Sequence, residues 1–216
     1  MNKYSFFDLL QLTNKLLGPN GCPWDKKQTM NSLQPFLIEE MHELLEAVDN
    51  KDFNHIAEET GDLLYQIIFI SKIAEIEGHF TIDDVINIIS DKIVRRHPHI
   101  FSTEKLDTAD QVYDRWNEIK MKEKKRKSSY VGVPKTMPSL MRAEKLLKKY
   151  AKIKPSILEG KKKQSEETLA QNLLELILVS IASKVDIEGA FRRLLEKKEK
   201  EFWKDEKKHA EDNSTA

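Results

Sequence analysis

Apolar residues recur along this chain at three- and four-residue intervals from one end to the other, and no stretch of convincing length alternates apolar with polar. The pattern predicts helices throughout and an all-α fold. Ser5 with Asp8 reads as a capping box opening a first helix, with Phe6, Leu9, Leu10, Leu16 and Leu17 as its core face and Gly18 as its end. The run Gly18 to Asp25 holds two glycines and two prolines and cannot continue a regular element. Leu37, Met41, Leu44, Leu45 and Val48 then mark the buried face of a second helix. The turn Asp49-Asn50-Lys51-Asp52 breaks that pattern, and Ile56, Leu63, Leu64, Ile67, Ile68 and Ala74 continue it in a third helix closed by Gly78. Thr81 with Asp84 opens a fourth, buried through Val85, Ile86, Ile88, Ile89 and Ile93 and stopped close to Pro98. Thr108 with Gln111 opens another, which carries Trp116 and Lys120 and runs out in Lys122, Lys124, Lys125, Arg126 and Lys127, a solvated end that complements the helix dipole.

Glycine and prolines make 128–138 a linker. Beyond it the pattern predicts a short helix from Leu140 to Tyr150, a lysine-rich connector from Lys152 to Lys163, an apolar helix from Glu166 to Lys184 and a charged last helix from Ile187. The expected organisation is a first module over 1–127, the linker, a second helical module over 139–209, and a disordered tail at 210–216.

Composition narrows the classes. The 216 residues suffice for a real core, and a charged fraction of 33% with 7 glycines and 7 prolines suits a helix-rich soluble chain. The 36 basic and 36 acidic residues balance, so neither a nucleic-acid polymer nor a membrane is an expected partner. A single cysteine, Cys22, excludes an internal disulfide framework and fits a reducing compartment. With no basic-then-apolar leader pattern and no apolar run of spanning length, a cytoplasmic protein is expected.

The chemistry concentrates on the second and third helices. Glu39, Glu40 and Glu43 lie beside the apolar seam of one, and Glu59 and Asp62 beside that of the other, each set within a helical turn. A short connection makes the two helices antiparallel neighbours and can bring the sets face to face. Carboxylates so gathered repel unless a cation sits among them, and oxygen-only ligation suits Mg²⁺, or Mn²⁺, rather than Zn²⁺. Lys92 and Arg96, one turn apart, with Lys120 supply cations for phosphate oxygens, and Trp116 or Trp24 a ring for a base. The Trp24 loop is equally readable as a wall for a planar ligand or as a plug in the core. His42, His55, His97 and His99 are further candidate ligands, and Glu39-x-x-His42 matches half of a di-iron carboxylate motif, but Glu59-x-x-Asp62 lacks the second histidine, which ranks a redox di-iron bundle below a magnesium site.

The motifs resemble those of the MazG family of nucleoside triphosphate pyrophosphohydrolases, within the all-α NTP pyrophosphatase group. The matching stretches are Gly21-Cys22-Pro23-Trp24-Asp25 with Gln28-Thr29, Ser32-Leu33, Glu39-Glu40-Met41-His42-Glu43, Glu58-Glu59-Thr60-Gly61-Asp62-Leu63-Leu64 and Arg95-Arg96-His97-Pro98-His99. Trp116-Asn117-Glu118-Ile119-Lys120 and Gly132-Val133-Pro134 extend the match, which runs nearly unbroken from Leu17 to Ala143. The resemblance implies a four-helix module that hydrolyses NTP or dNTP to the monophosphate and pyrophosphate with Mg²⁺. It puts the metal ligands on Glu40, Glu43, Glu59 and Asp62, with Glu39 as a further acidic contributor to catalysis, and the nucleotide on Lys92, Arg96, Trp116 and Lys120. It also implies a homodimer. Two-domain members repeat the acidic motifs in a second copy. Here 153–160 is too short for the first acidic helix, and Thr168-Leu169-Ala170-Gln171 stands where Glu-x-x-Asp belongs, so the second module reads as a degenerate copy kept for packing or dimerisation. The rival reading is a catalytically weak nucleotide-binding or regulatory helical protein.

Overall fold

A computed structural model of the chain describes residues 3–123, 128, 130 and 132–214. Among the described residues the regular structure is helical, without a strand. Packing divides the chain into two compact units, Met1–Lys105 and Leu106–Ala216. This boundary lies ahead of the 127/128 boundary expected from sequence, so the helix bearing Trp116 and Lys120 counts with the second unit. The basic run Lys124, Lys125, Arg126 and Lys127 lies outside the described residues.

The first unit holds α1 (Phe6–Leu17), a 3-10 turn (Asp25–Lys27), α2 (Gln34–Asn50), α3 (Phe53–Ile76), α4 (Ile82–Arg96) and the single turn α5 (Pro98–Phe101). Both sequence-predicted capping boxes are formed: Ser5 and Asp8 open α1, and Thr81 and Asp84 open α4. Pro98 does stop α4 and then starts α5, because a proline at the first helical position gives up an N–H that had no partner to lose. Between α1 and the 3-10 turn the chain folds back tightly, with the Gly21 and Cys22 amides donating to the Gly18 and Leu16 carbonyls at 2.9 and 2.8 Å. A Cβ at Gly21 would fall 1.9 Å from the Leu16 oxygen, so only glycine fits there.

α2 and α3 form a hairpin with a two-residue junction. Lys51 takes a left-handed conformation at φ 55°, and the Lys51 and Asp52 amides bond back to Val48 and Ala47, each at 3.1 Å. The Asp52 carboxylate then accepts the amides of Asn54 and His55 at 3.1 and 3.2 Å and so caps α3. Leu33, Phe69 and Ile73 form the centre of the core, with Leu17, Met30, Phe36, Tyr65 and Ile70 packed around it, and α1 and α4 both lie against α3.

The face of α2 turned into this unit differs from the predicted stripe. Leu37 and Leu44 are half-buried and Ala47 is fully buried, and Glu40 shares their side, whereas Met41, Leu45 and Val48 stay exposed. On α4, Ile86, Ile88, Ile89 and Ile93 are likewise exposed, as is Phe6 on α1. These helices carry apolar residues on more of their circumference than one neighbour can cover.

The second unit holds α6 (Ala109–Glu123), α7 (Ser139–Ile153), a 3-10 turn (Pro155–Leu158), α8 (Glu166–Ala182) and α9 (Ile187–Ser214). α9 is helical through Ser214, past His209 where the sequence leads one to expect fraying. Tyr130, Val133, Leu146, Tyr150 and Phe202 make its core, with Tyr150 stacked on Phe202 at 4.0 Å between ring centres. Two of these, Tyr130 and Val133, come from the 128–138 segment, which its glycine and prolines mark as irregular. Arg142 pairs with Glu199, Tyr150 donates to Asp205, and Ser139 donates to Glu188 at 2.6 Å, tying α7 to α9. α8 differs from its neighbours: Leu169, Leu173, Leu174, Leu176, Ile177 and Leu178 are all exposed, and only Ser180 is buried.

Candidate functional site

The α2–α3 hairpin brings three carboxylates together. Glu40 and Glu43 are one turn apart on α2, Glu59 enters from α3, and one oxygen from each lies within 4.8 Å of the others. Glu59 is buried, Glu40 half-buried and Glu43 exposed. Gln66 Nε2 reaches across from α3 to Glu40 Oε1 at 3.4 Å. His55, one turn before Glu59, places Nε2 2.8 Å from its Oε1, while Oε2 is buried without a partner.

The electrostatics follow from this crowding. Burial pushes the Glu40 carboxyl above its ordinary value; the Gln66 amide offsets part of that, and the charges of Asp62, Glu43 and Glu59 add to it. Burial also raises Glu59, with Glu43 next, against the opposing pull of His55. Asp62 is exposed and outside the group of three, yet close enough to raise both carboxyls. A group whose members disfavour one another's charge, with one buried oxygen left unpaired, fits a divalent cation by its donor chemistry: oxygen ligands, high negative charge and an unsatisfied acceptor.

The remaining predicted residues are placed as follows. Glu39 is exposed on α2 and outside the group. Lys92 is half-buried and Arg96 buried, in the last turns of α4. Trp24 is 57% exposed and meets Phe36 edge-on at 6.0 Å, so it does not plug the core, and the open face of the ring leaves the wall reading. Trp116 and Lys120 sit on α6 in the second unit, with Lys120 Nζ 4.5 Å from the Trp116 ring centre. Among the described residues the group of three consists of glutamates, with His55 in contact with one of them. His97 Nδ1 is instead 2.7 Å from the Ile93 carbonyl oxygen. Gln66 was not singled out from sequence; its signal was the spacing His55, Glu59, Asp62, Gln66, which follows one face of α3.

The model of the MazG nucleotide pyrophosphohydrolase domain matches residues 28–101, which take in all five acidic candidates, His55, Gln66, Lys92 and Arg96. Along 212 residues the chain is 37% identical to the nucleoside triphosphate pyrophosphohydrolase/pyrophosphatase MazG of Thermotoga maritima, covering 89% of this chain and 82% of that protein. The chain belongs to the MazG family. It is also 49% identical over 147 residues to the uncharacterized protein YabN of Bacillus subtilis, and 40% identical over 149 residues to the nucleoside triphosphate pyrophosphohydrolase of Escherichia coli K12. Each of these two alignments covers 67% of this chain, but only 30% of YabN and 57% of the E. coli protein. The MazG match therefore falls on the unit that holds the acidic group, and Trp24, Trp116 and Lys120 lie outside the matched stretch.

Proposed function

We propose that this chain hydrolyses nucleoside triphosphates, ribo- or deoxyribo-, to the nucleoside monophosphate and pyrophosphate in a Mg²⁺-dependent reaction, with Mn²⁺ able to substitute. The observation that carries the reading is the convergence of Glu40, Glu43 and Glu59 with one Glu59 oxygen buried and unpaired. Family membership and the named relatives support the substrate class. In this reading Glu40, Glu43, Glu59 and Asp62 hold the ion. When bound, it supplies positive charge against the phosphate oxygens as charge builds in the transition state. Glu39, exposed beside Glu40, accepts a proton from the attacking water. The water oxygen bonds to the α-phosphorus, the bridging bond to the β-phosphate breaks, and pyrophosphate departs with its charge offset by Lys92 and Arg96. Trp24 stacks on the base, and Trp116 and Lys120 are assigned to the nucleotide on the family resemblance.

A second copy of the chain covers the exposed apolar residues of α2, α4 and α8 in this proposal, giving a homodimer. The unpaired thiol of Cys22 supports a reducing cytoplasm. Among the described residues no helix is long and apolar enough to cross a membrane. The balanced charge supports a small-molecule substrate rather than a nucleic-acid polymer.

Pyrophosphate release from the common ribo- and deoxyribonucleoside triphosphates, with and without Mg²⁺, tests the reading. Release that requires the ion and disappears in Glu59→Gln is expected. Nucleotide binding without release in any pairing would move the chain to the nucleotide-binding or regulatory class.

A further inference from the structure

We infer that His55 is a positioning residue for the acidic group: it commits one oxygen of Glu59 to its imidazole so that the other is presented, in a fixed orientation, to the divalent cation shared with Glu40 and Glu43. The inference rests on the reading above that this group holds such an ion.

A glutamate has three rotatable bonds, and a ligand that swings among rotamers must be ordered each time an ion binds. Glu59 is not free to swing. Its side chain is 8% exposed, and Oε1 sits 2.8 Å from His55 Nε2, which fixes the plane of the carboxylate and with it Oε2. That second oxygen is buried with no partner among the described residues. A buried carboxylate oxygen without a partner is uncommon and calls for one, which a bound cation supplies.

His55 is itself well anchored. Its backbone amide is taken by the Asp52 carboxylate at 3.2 Å, so it occupies the capped first turn of α3, and Glu59 follows exactly one i, i+4 step later on the same face. The imidazole is 42% exposed, so the core does not depend on it, and the nitrogen facing Glu59 is spent on the carboxylate rather than offered to a metal. Gln66 works alike from the far end of the same face, holding Glu40 Oε1 across the hairpin at 3.4 Å. Two of the three carboxylates thus have one oxygen occupied by a side chain of α3.

The test is titration of the full-length chain with Mn²⁺, followed by the free-ion electron paramagnetic resonance signal, alongside ion-free thermal melts. His55→Ala is expected to bind Mn²⁺ about tenfold more weakly than the parent, the usual cost of losing a ligand's outer partner. Its ion-free melt is expected to be unchanged. His55→Gln, whose amide N–H can donate to the same oxygen, is expected to recover most of the affinity. Parent-like affinity in His55→Ala overturns the inference, as does an equal loss in both variants, or a melt lowered in step with affinity. A parent chain that takes up no Mn²⁺ overturns the acidic group as an ion site and this inference with it, a result readily told apart from parental binding that ignores His55.

Discussion

At the end of α3 the amides of Glu77, Gly78 and His79 bond back to the carbonyls of Ile73, Glu75 and Ala74; at the end of α8 those of Ser183, Lys184 and Val185 bond back to Val179, Ile181 and Ser180 in the same pattern. Gly78 and Lys184 are both left-handed, at φ 75° and 54°. Counted back equally far from these two positions, Glu59 in α3 corresponds to Ser165, and Asp62 to Thr168. Ser165 is the cap of α8, accepting the Thr168 amide at 3.2 Å. α3 has 24 residues and α8 has 17, so α8 begins where α3 has its first buried carboxylate. The sequence match had set Thr168 and Gln171 against the acidic pair; counting from the shared helix end moves the register but still finds no carboxylate. The two helices end alike, but the acidic group is found where the helix has extra N-terminal turns and α2 facing it.

The largest effect is expected from Glu59→Gln, which should lower pyrophosphate release by more than about 100-fold while leaving the melt nearly unchanged, since a neutral isostere removes charge and not volume. Grafting acids onto the start of α8, as Ser165→Glu with Thr168→Asp, should add no Mn²⁺ to the measured stoichiometry, because among the described residues no helix faces them there. A second bound ion in that variant would break the comparison. Glu199→Gln should do the opposite of Glu59→Gln. It removes the negative charge facing Arg142, which is 1% exposed and already has an unpartnered Nε, and should cost the second unit about 3 kcal/mol by hydrogen exchange with Mn²⁺ affinity intact. Gly21→Ala should destabilise the first unit by about 2 kcal/mol in denaturant melts, because the new methyl meets backbone that cannot move aside.

The smallest effects are in pH. Glu40 and Glu59 carry raised carboxyls, so the folded first unit holds their protons more tightly than the unfolded chain does. The stability linked to them is complete below the ordinary glutamate value of 4.5 and is lost as pH rises through the higher folded values. Metal-free melts should therefore fall slightly between mildly acidic and neutral pH, and Mg²⁺ should restore them. In the second unit the Tyr150 hydroxyl, bonded to Asp205, is pushed up to about 12, so its contribution is complete below pH 10 and is lost as pH rises towards 12. Separate pH windows for the two units, one on the acidic side of neutrality and one in the alkaline range, followed by hydrogen exchange, would sharpen the contrast; a common window would remove it.

Helix ends were legible in the sequence because each depends on a few neighbours. Ser5 with Asp8, Thr81 with Asp84 and Gly78 announced their roles, and the structure gives them those roles. Which face of a helix lies inward was less legible. α2 has Leu37 and Leu44 on one side and Met41, Leu45 and Val48 on another, and what selects the inner side is the fit of Ala47 and Glu40 against α3, a property of the pair. Burial in 128–138 was hidden for a related reason, since glycine and proline report the absence of regular structure and say nothing of packing. The acidic group was legible as residues, through spacing and family motif together. His55 and Gln66 share a helix face with Glu59 and Asp62, but that they touch Glu59 and Glu40 is seen only in the distances.

The two-residue junction at Lys51 and Asp52 acts as a phase lock. A residue inserted there would turn α3 by about 100° against its cap. The aliphatic rows could slip and find other partners, but Glu59 would be carried off the side where Glu40 and Glu43 wait. Among the described connections between helices longer than one turn, this one is the shortest and leaves the least room for drift, and variation in its length is where descendants of this sequence would lose their acidic centre first.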